Sequence, residues 1–212
     1  MVMSVNRRGY GPLTAEDVRY IQASYVTLAA ACAGRCEPAE ARARIRDRRW
    51  PAASYILDEG TEMVPPDYFA LIDEAGEGGL RAAFFARYAA AMQASGAPPD
   101  DRTIEAEWQA FLDGAYGVCL KTVTPEAIFE KESLVRTAAV LLAQPAPADA
   151  RWRTQLRAQI DRLDALLRDF APCDRARFGG SVSRDRLVTA ARTRYPDVFG
   201  QSELPAPQRS RA

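Results

Sequence analysis

The sequence predicts a mainly α-helical protein: a helical bundle with an N-terminal helix-turn-helix-like subdomain and a short β-hairpin or extended connector. Three observations lead to this fold class. Apolar residues recur at helical spacing through most of the 212 residues. Helix-capping residues precede several of those repeats. Only one short stretch combines paired apolar residues with turn residues. With 48% hydrophobic residues, the chain can also bury a sizeable core.

The helix-turn-helix-like subdomain is predicted over residues 13–51. Thr14 is a candidate helix cap, and Thr27 can cap a short alanine-rich helix. Gly34 can end that helix in a left-handed conformation, and Pro38 suits the first turn of the next helix. Five arginines lie on this second helix and at its end: Arg42, Arg44, Arg46, Arg48 and Arg49. They could pair with nucleic-acid phosphates, or they could be solvated or paired with carboxylates of the acidic middle of the chain.

The connector is predicted over residues 52–66. An apolar run at 55–57 is followed by turn residues, and a second run at 63–64 is stopped by two prolines. A hairpin or a pair of extended segments fits this pattern. It is the only part of the chain in which the sequence predicts strand.

The helical bundle domain is predicted over residues 67–196. Helices should begin at Leu80, after a cap at Thr103 and after a cap at Thr124. The clearest periodicity predicts one amphipathic helix over 151–170, which could be a core helix or the seam of a homodimer. Its apolar residues are Trp152, Leu156, Ile160, Leu163, Leu167 and Phe170.

The remaining segments carry no periodic pattern, and residues 1–12 and 202–212 should be loose tails. No apolar run approaches the roughly 20 residues that span a bilayer. The N-terminus also lacks the hydrophobic core of a signal peptide. We therefore expect a cytoplasmic protein that does not enter a membrane. Four cysteines without a repeated Cys-x-x-Cys spacing should stay reduced.

The chain contains no histidine, which excludes Ser-His-Asp and Cys-His enzymes and removes the usual zinc and haem ligand. We expect neither a metal nor a cofactor. The candidates for a catalytic site are Asp113, Tyr116 and Cys119, which could line a cavity where Gly114 and Gly117 weaken the end of a helix. The same side chains could instead satisfy free backbone groups at that helix end.

A second candidate anion site lies near the C-terminus. Ser183, Arg184 and Arg186 fall at the predicted start of the last helix, where backbone donors and the helix dipole favour an anionic group. The alternative is a serine cap with solvated arginines. The formal charge of the whole chain is zero, with 28 bases against 28 acids, so any basic surface must be local.

Four segments together resemble an uncharacterised bacterial family known as natural product biosynthesis proteins, and FLDG-YGVC is their most specific part. The segments are SYILDEGTEMVPPDYF at 54–69, FLDGAYGVCL at 111–120, TPEAIFEKESLV at 124–135 and SRDRLV at 183–188. Residues 48–55, RRWPAASY, also resemble the exit from the recognition helix in winged regulators of the MerR type. The first resemblance implies a biosynthetic context and no mechanism.

Three functions remain open. The first is an accessory or tailoring protein of a bacterial specialised-metabolite pathway that binds a small molecule or a pathway protein in its helical domain. The second is a DNA-binding transcriptional regulator that uses the arginine-rich helix, although nucleic acid is not the favoured partner. The third is a cofactor-free enzyme with a carboxylate and tyrosine site. The oligomeric state is open, and a homodimer is possible.

Overall fold

The computed structural model describes residues 11–76 and 79–200. They form a mainly α-helical fold with one small sheet, as the sequence predicts. Most of the predicted tails, 1–12 and 202–212, lies outside the described residues. The chain divides into two compact units, one of Met1–Glu132 with Leu166–Val182 and one of Ser133–Ala165 with Ser183–Ala212. The domain boundaries predicted from the sequence stay predictions.

The helices follow the apolar periodicity of the sequence. Among the described residues, no helix combines the length and the apolar character needed to cross a membrane. The α-helices are α1 (Ala15–Ser24), α2 (Leu28–Cys32), α3 (Pro38–Arg46), α4 (Ala70–Ala75), α5 (Leu80–Ala94), α6 (Asp101–Leu112), α7 (Ala115–Cys119), α8 (Pro125–Ala143), α9 (Ala150–Leu166), α10 (Pro172–Arg177) and α11 (Ala190–Arg194), with a π-helix at Arg184–Thr189 and a 3₁₀ turn at Pro196–Val198.

Most predicted helix starts are confirmed by their caps. The hydroxyls of Thr14, Thr27 and Thr124 each accept the backbone N–H three residues on, at 3.2, 3.0 and 3.2 Å. The cap predicted at Thr103 is wrong. Asp100 caps α6 instead and accepts the Thr103 N–H at 3.1 Å, because a carboxylate three residues earlier can meet the first free N–H groups.

The sheet contains the predicted hairpin and one strand that was not predicted. Strands β1 (Val26–Thr27), β2 (Tyr55–Ile56) and β3 (Glu62–Val64) are antiparallel in the order β1-β3-β2. The expectation of strand only within 52–66 is therefore wrong. Strand β1 has two residues, and its pairing with β3 defines it, so no local pattern marks it.

Aromatic side chains and a buried carboxylate form part of the core of the first unit. Tyr25 and Tyr55 pack edge to face with ring centres 4.9 Å apart. The Tyr55 hydroxyl donates to the carboxylate of Asp174 at 2.8 Å, and the Ala171 N–H donates to the same oxygen at 2.9 Å. Burial raises the pKa of Asp174, although these donors act in the opposite direction.

The predicted helix over 151–170 ends early, at Leu166 in α9. The reason is a pairing with the end of α7: Leu120 and Leu167 form an antiparallel bridge, and the Arg168 N–H donates to Cys119 O at 2.9 Å. The Arg168 side chain continues this contact by donating to Leu120 O at 2.7 Å. The backbone after α7 is therefore satisfied by a segment far along the chain.

In the second unit, Trp152 and Arg192 make polar and aromatic contacts between separate helices. The indole N–H of Trp152 donates to Leu141 O at 3.1 Å, and its ring meets Tyr195 edge to face at 5.0 Å. Arg192 bonds Asp164 at 2.8 Å. The four residues of the predicted apolar stripe that lie in this unit are buried: Trp152, Leu156, Ile160 and Leu163.

Candidate functional site

The break between α6 and α7 is in direct contact with the connector. Gly114 lies there in the left-handed conformation, with φ +72°, and a Cβ atom on it would lie 2.4 Å from the carbonyl oxygen of Ala52. A Cβ atom on Gly117 would lie 2.3 Å from Ser54 Oγ and 3.0 Å from Pro65 Cγ. The position of Gly114 therefore requires glycine, because the connector backbone packs against it, whereas at Gly117 a side chain would collide with the Ser54 and Pro65 side chains.

A small cavity lies beside this contact. Its volume is about 20 Å³, which is room for one water-sized group. Most of the lining is apolar or backbone, and the acidic side chain is that of Asp67. The lining residues are Pro51, Ala52, Ser54, Pro65, Asp67, Tyr68, Leu71, Phe111, Gly114, Gly117 and Val123. We call this the Ser54–Asp67 cavity.

Two polar atoms of this cavity are buried without a hydrogen-bond partner among the described residues: Ser54 Oγ and Asp67 Oδ1. The other oxygen of Asp67 accepts the Val123 N–H at 2.7 Å, which fixes the carboxylate. The Tyr68 hydroxyl is already used, since it donates to Pro51 O at 2.6 Å. An unmet buried polar group costs about 1–3 kcal/mol, so a bound hydrogen-bond donor would be stabilised here.

The glycine break was predicted from the sequence, but the side chains predicted to form a site around it are not those of the cavity. Asp113 is exposed and bonds Arg48 at 2.9 Å. Tyr116 is buried and donates to Glu107, and the buried Cys119 thiol lies 3.7 Å from Tyr116 O. None of Asp113, Tyr116 and Cys119 is among the described residues that line the Ser54–Asp67 cavity. The structure does not bring these three together at the cavity.

Tyr116 and Cys119 instead adjoin an acid–base cluster that the sequence analysis missed. The Lys131 ammonium lies 2.6 Å from a Glu132 oxygen and 5.4 Å from the centre of the Tyr116 ring. Burial, then the nearby Glu132, raises the pKa of Glu107. Burial alone would lower the pKa of Lys131, but Cys119 and Glu132 outweigh it and the net shift is upward. Burial raises the pKa of the Cys119 thiol, which disfavours the thiolate.

One sequence signal could have revealed this cluster. The chain has 28 basic residues, and lysines are rare among them. Lys131 lies on α8 within a run of charged residues, and only the fold shows that the side chain turns inward, with 15% of it exposed. The glutamate of α6 that completes the cluster lies far away in sequence, so spacing could not have paired the two.

The arginines of α3 and its end are largely paired within the chain. Arg44 also stacks on the Trp50 ring, with its guanidinium carbon 4.8 Å from the ring centre. Arg49 is exposed. These contacts offset much of the local positive charge. The pairs are Arg42 with Glu62 at 2.6 Å, Arg44 with Glu40 at 2.7 Å, Arg46 with Asp47 at 3.6 Å and Arg48 with Asp113 at 2.9 Å.

The second predicted anion site also contains an ion pair. Arg184 lies 2.5 Å from Asp164, while Arg186 is exposed on the π-helix. Ser183 makes no side-chain capping bond in the described structure, so the predicted serine cap is wrong. The residue has helical backbone angles, φ −56° and ψ −34°, and a cap needs an extended backbone.

A protein family matches residues 80–196, and its description is "Family of unknown function (DUF6058)". The match includes both glycines of the break and the acid–base cluster, but neither Ser54 nor Asp67. No curated protein and no solved structure matches the chain.

Proposed function

The chain belongs to this family of unknown function, DUF6058, and for this member we propose that it binds a small molecule by taking one small end group of that ligand into the Ser54–Asp67 cavity. One observation carries the proposal. Ser54 Oγ and Asp67 Oδ1 are both buried and both lack a partner among the described residues, and the two residues that carry them line the same cavity. Ligand sites characteristically combine apolar walls with a few convergent polar groups.

The surrounding backbone supports this proposal because it leaves the site little freedom. The wall formed by Gly114 and Gly117 touches the connector, and the Ala52 N–H donates to Leu112 O at 2.8 Å. Asp67 is fixed by its bond to the Val123 N–H. Preorganised polar groups lose little entropy on binding, so even a small ligand can gain affinity from them.

The biological setting rests on the resemblance to natural product biosynthesis proteins. On that basis we propose a cytoplasmic accessory or tailoring protein of a bacterial specialised-metabolite pathway, with a pathway metabolite as its ligand. A DNA-binding role is less well supported, because carboxylates of the same chain already pair with most of the arginines on α3 and at its end.

A second candidate function is acid–base catalysis at the cluster of Glu107, Tyr116 and Lys131. The observation that favours it is the contact among three titratable side chains: the Tyr116 hydroxyl donates to Glu107, and the Lys131 ammonium lies 5.4 Å from the centre of the Tyr116 ring. Burial also raises the pKa of Glu107, as suits a general base. The cation of Lys131 could stabilise an anionic intermediate there. Turnover that disappears in Glu107→Gln and survives in Glu105→Gln, a change on the same helix, would support this function.

Binding can be tested by thermal denaturation with a panel of specialised metabolites. A ligand should raise the melting temperature progressively as its concentration exceeds the dissociation constant. Gly117→Ala, which places a methyl group against Ser54, should abolish the response. Ser95→Ala at the end of α5 is the matched control and should retain it. An equal response in both variants would place the ligand elsewhere and contradict the proposal.

A further inference from the structure

We infer that the Ser54–Asp67 cavity recognises the ammonium group of a small primary amine. This inference rests on the proposed binding function and specifies its ligand class. It follows from three properties of the cavity: its size, the charge of its acidic side chain and the shortage of hydrogen-bond donors directed at its two open acceptor atoms.

The size of the cavity restricts the group that enters it. About 20 Å³ is close to the minimum that accommodates one water molecule. A group built on a single non-hydrogen atom fits that volume, such as an ammonium, a hydroxyl or a water. A carboxylate or a phosphate is larger, and its negative charge would also face Asp67. Anionic metabolites are therefore excluded by both size and charge.

The open acceptors favour a donor with positive charge. Asp67 Oδ1 has no partner among the described residues, while Oδ2 already accepts the Val123 N–H at 2.7 Å. Ser54 Oγ also has no partner among the described residues, and its oxygen can accept a hydrogen bond. An ammonium group presents three donors and no acceptor. A charge-assisted bond to a carboxylate is also about twice as strong as a neutral one.

Neighbouring protein groups do not meet this requirement. The Tyr68 hydroxyl donates to Pro51 O at 2.6 Å. The nearby guanidinium of Arg35 bonds Asp73 at 3.0 Å and stacks on the Phe69 ring at 5.3 Å. Asp67 is only half-buried, so the ammonium group alone occupies the cavity and the short hydrocarbon chain of the amine extends towards the surface.

The test is a titration of the full chain at pH 7, followed by NMR, with n-propylamine, 1-propanol and propionate as probes. We expect the amine to bind about tenfold more tightly than the alcohol, as a difference of roughly 1.4 kcal/mol implies. Propionate should not bind. Asp67→Asn should remove the advantage of the amine and leave the affinity for the alcohol unchanged. Asp73→Asn, which changes the neighbouring carboxylate that pairs with Arg35, should leave the amine affinity unchanged.

Urea denaturation of each variant confirms that it folds, and Ser54→Ala is a second variant that should also weaken amine binding. Equal affinity for amine and alcohol would overturn the inference while leaving the binding function intact. A metabolite without an amine that stabilises the wild type but not Gly117→Ala would also overturn the inference and leave the binding function intact. A crystal structure at saturating amine that shows only an ordered water between Ser54 and Asp67 would also overturn it. If no compound of the metabolite panel responds either, the proposed function itself fails.

Discussion

Replacing Gly117 with alanine should destabilise the protein, and most of the cost should come from the contact with Ser54. The new methyl group would lie 2.3 Å from Ser54 Oγ and 3.0 Å from Pro65 Cγ. Overpacking a buried site costs about 1–3 kcal/mol. Because Gly117 lies inside α7, alanine also gains about 1 kcal/mol of helix propensity. We expect the free energy of unfolding to fall by up to about 2 kcal/mol.

The same substitution should be nearly neutral in a Ser54→Ala background. Removing the hydroxyl eliminates the shorter contact and leaves only the one with Pro65. Ser54→Ala alone removes the cost of a buried oxygen that has no partner among the described residues, but it leaves a small void. The two effects oppose each other, so the free energy of unfolding should change by less than about 1 kcal/mol. The free energy of unfolding of the double variant should therefore be about 1–2 kcal/mol higher than the sum of the two single effects predicts.

Urea denaturation of the wild type, the two single variants and the double variant measures this coupling energy from midpoints and slopes. A second cycle that combines Gly117→Ala with Ser95→Ala is the control, because the Ser95 hydroxyl donates to Met92 O at 2.7 Å within the end of α5. That cycle should be additive within about 0.5 kcal/mol. A Gly117–Ser54 coupling no larger than the control would refute the packing on which the cavity depends.

Substitutions at three further positions test the backbone and the core by urea denaturation. Gly114→Ala should lower the free energy of unfolding by about 3 kcal/mol or more, because alanine would adopt a left-handed conformation and also clash with a backbone oxygen. A smaller loss than that of Gly117→Ala would contradict this. Arg48 has φ +56°, so Arg48→Gly should be about 1 kcal/mol more stable than Arg48→Ala, both variants losing the exposed pair with Asp113; equal stabilities would show that the conformation is not strained. Because burial raises the pKa of Asp174 in the folded state, the free energy of unfolding should fall as pH rises from the ordinary aspartate value towards the folded one; Asp174→Asn should flatten that dependence, and an unchanged slope would assign it to other groups.

Local chemistry predicted much of the helical fold, and tertiary pairing determined what it missed. Thr14 and Thr124 were identified as caps because a hydroxyl before an apolar repeat has a local role. The two-residue strand β1 has no such signature and depends on its partner β3. The end of α9 was also missed, because the pairing of Leu167 with Leu120 stops the helix although the apolar period continues to Phe170.

Of the candidate site, only the wall formed by the glycine break could be predicted from the sequence. Gly114 and Gly117 stand out because two glycines interrupt a strong amphipathic pattern, and the cavity does lie beside them. Ser54 lies near the start of the connector and Asp67 directly after its end, and no spacing rule indicates that a serine there will face a glycine about 60 residues away. Only the folded structure shows that an oxygen atom of each residue is buried without a partner among the described residues.

The pairing of the segment after α7 with Leu167 and Arg168 bears on how the protein forms during synthesis. Arg168 lies 48 residues downstream of Leu120, whose carbonyl it bonds, and Asp174 lies 119 residues downstream of Tyr55. Closing such long loops costs entropy before the contact is gained, which slows folding. A nascent chain that ends before Arg168 therefore exposes the backbone that follows α7. The first unit, although mostly N-terminal, can be completed only when α10 has left the ribosome.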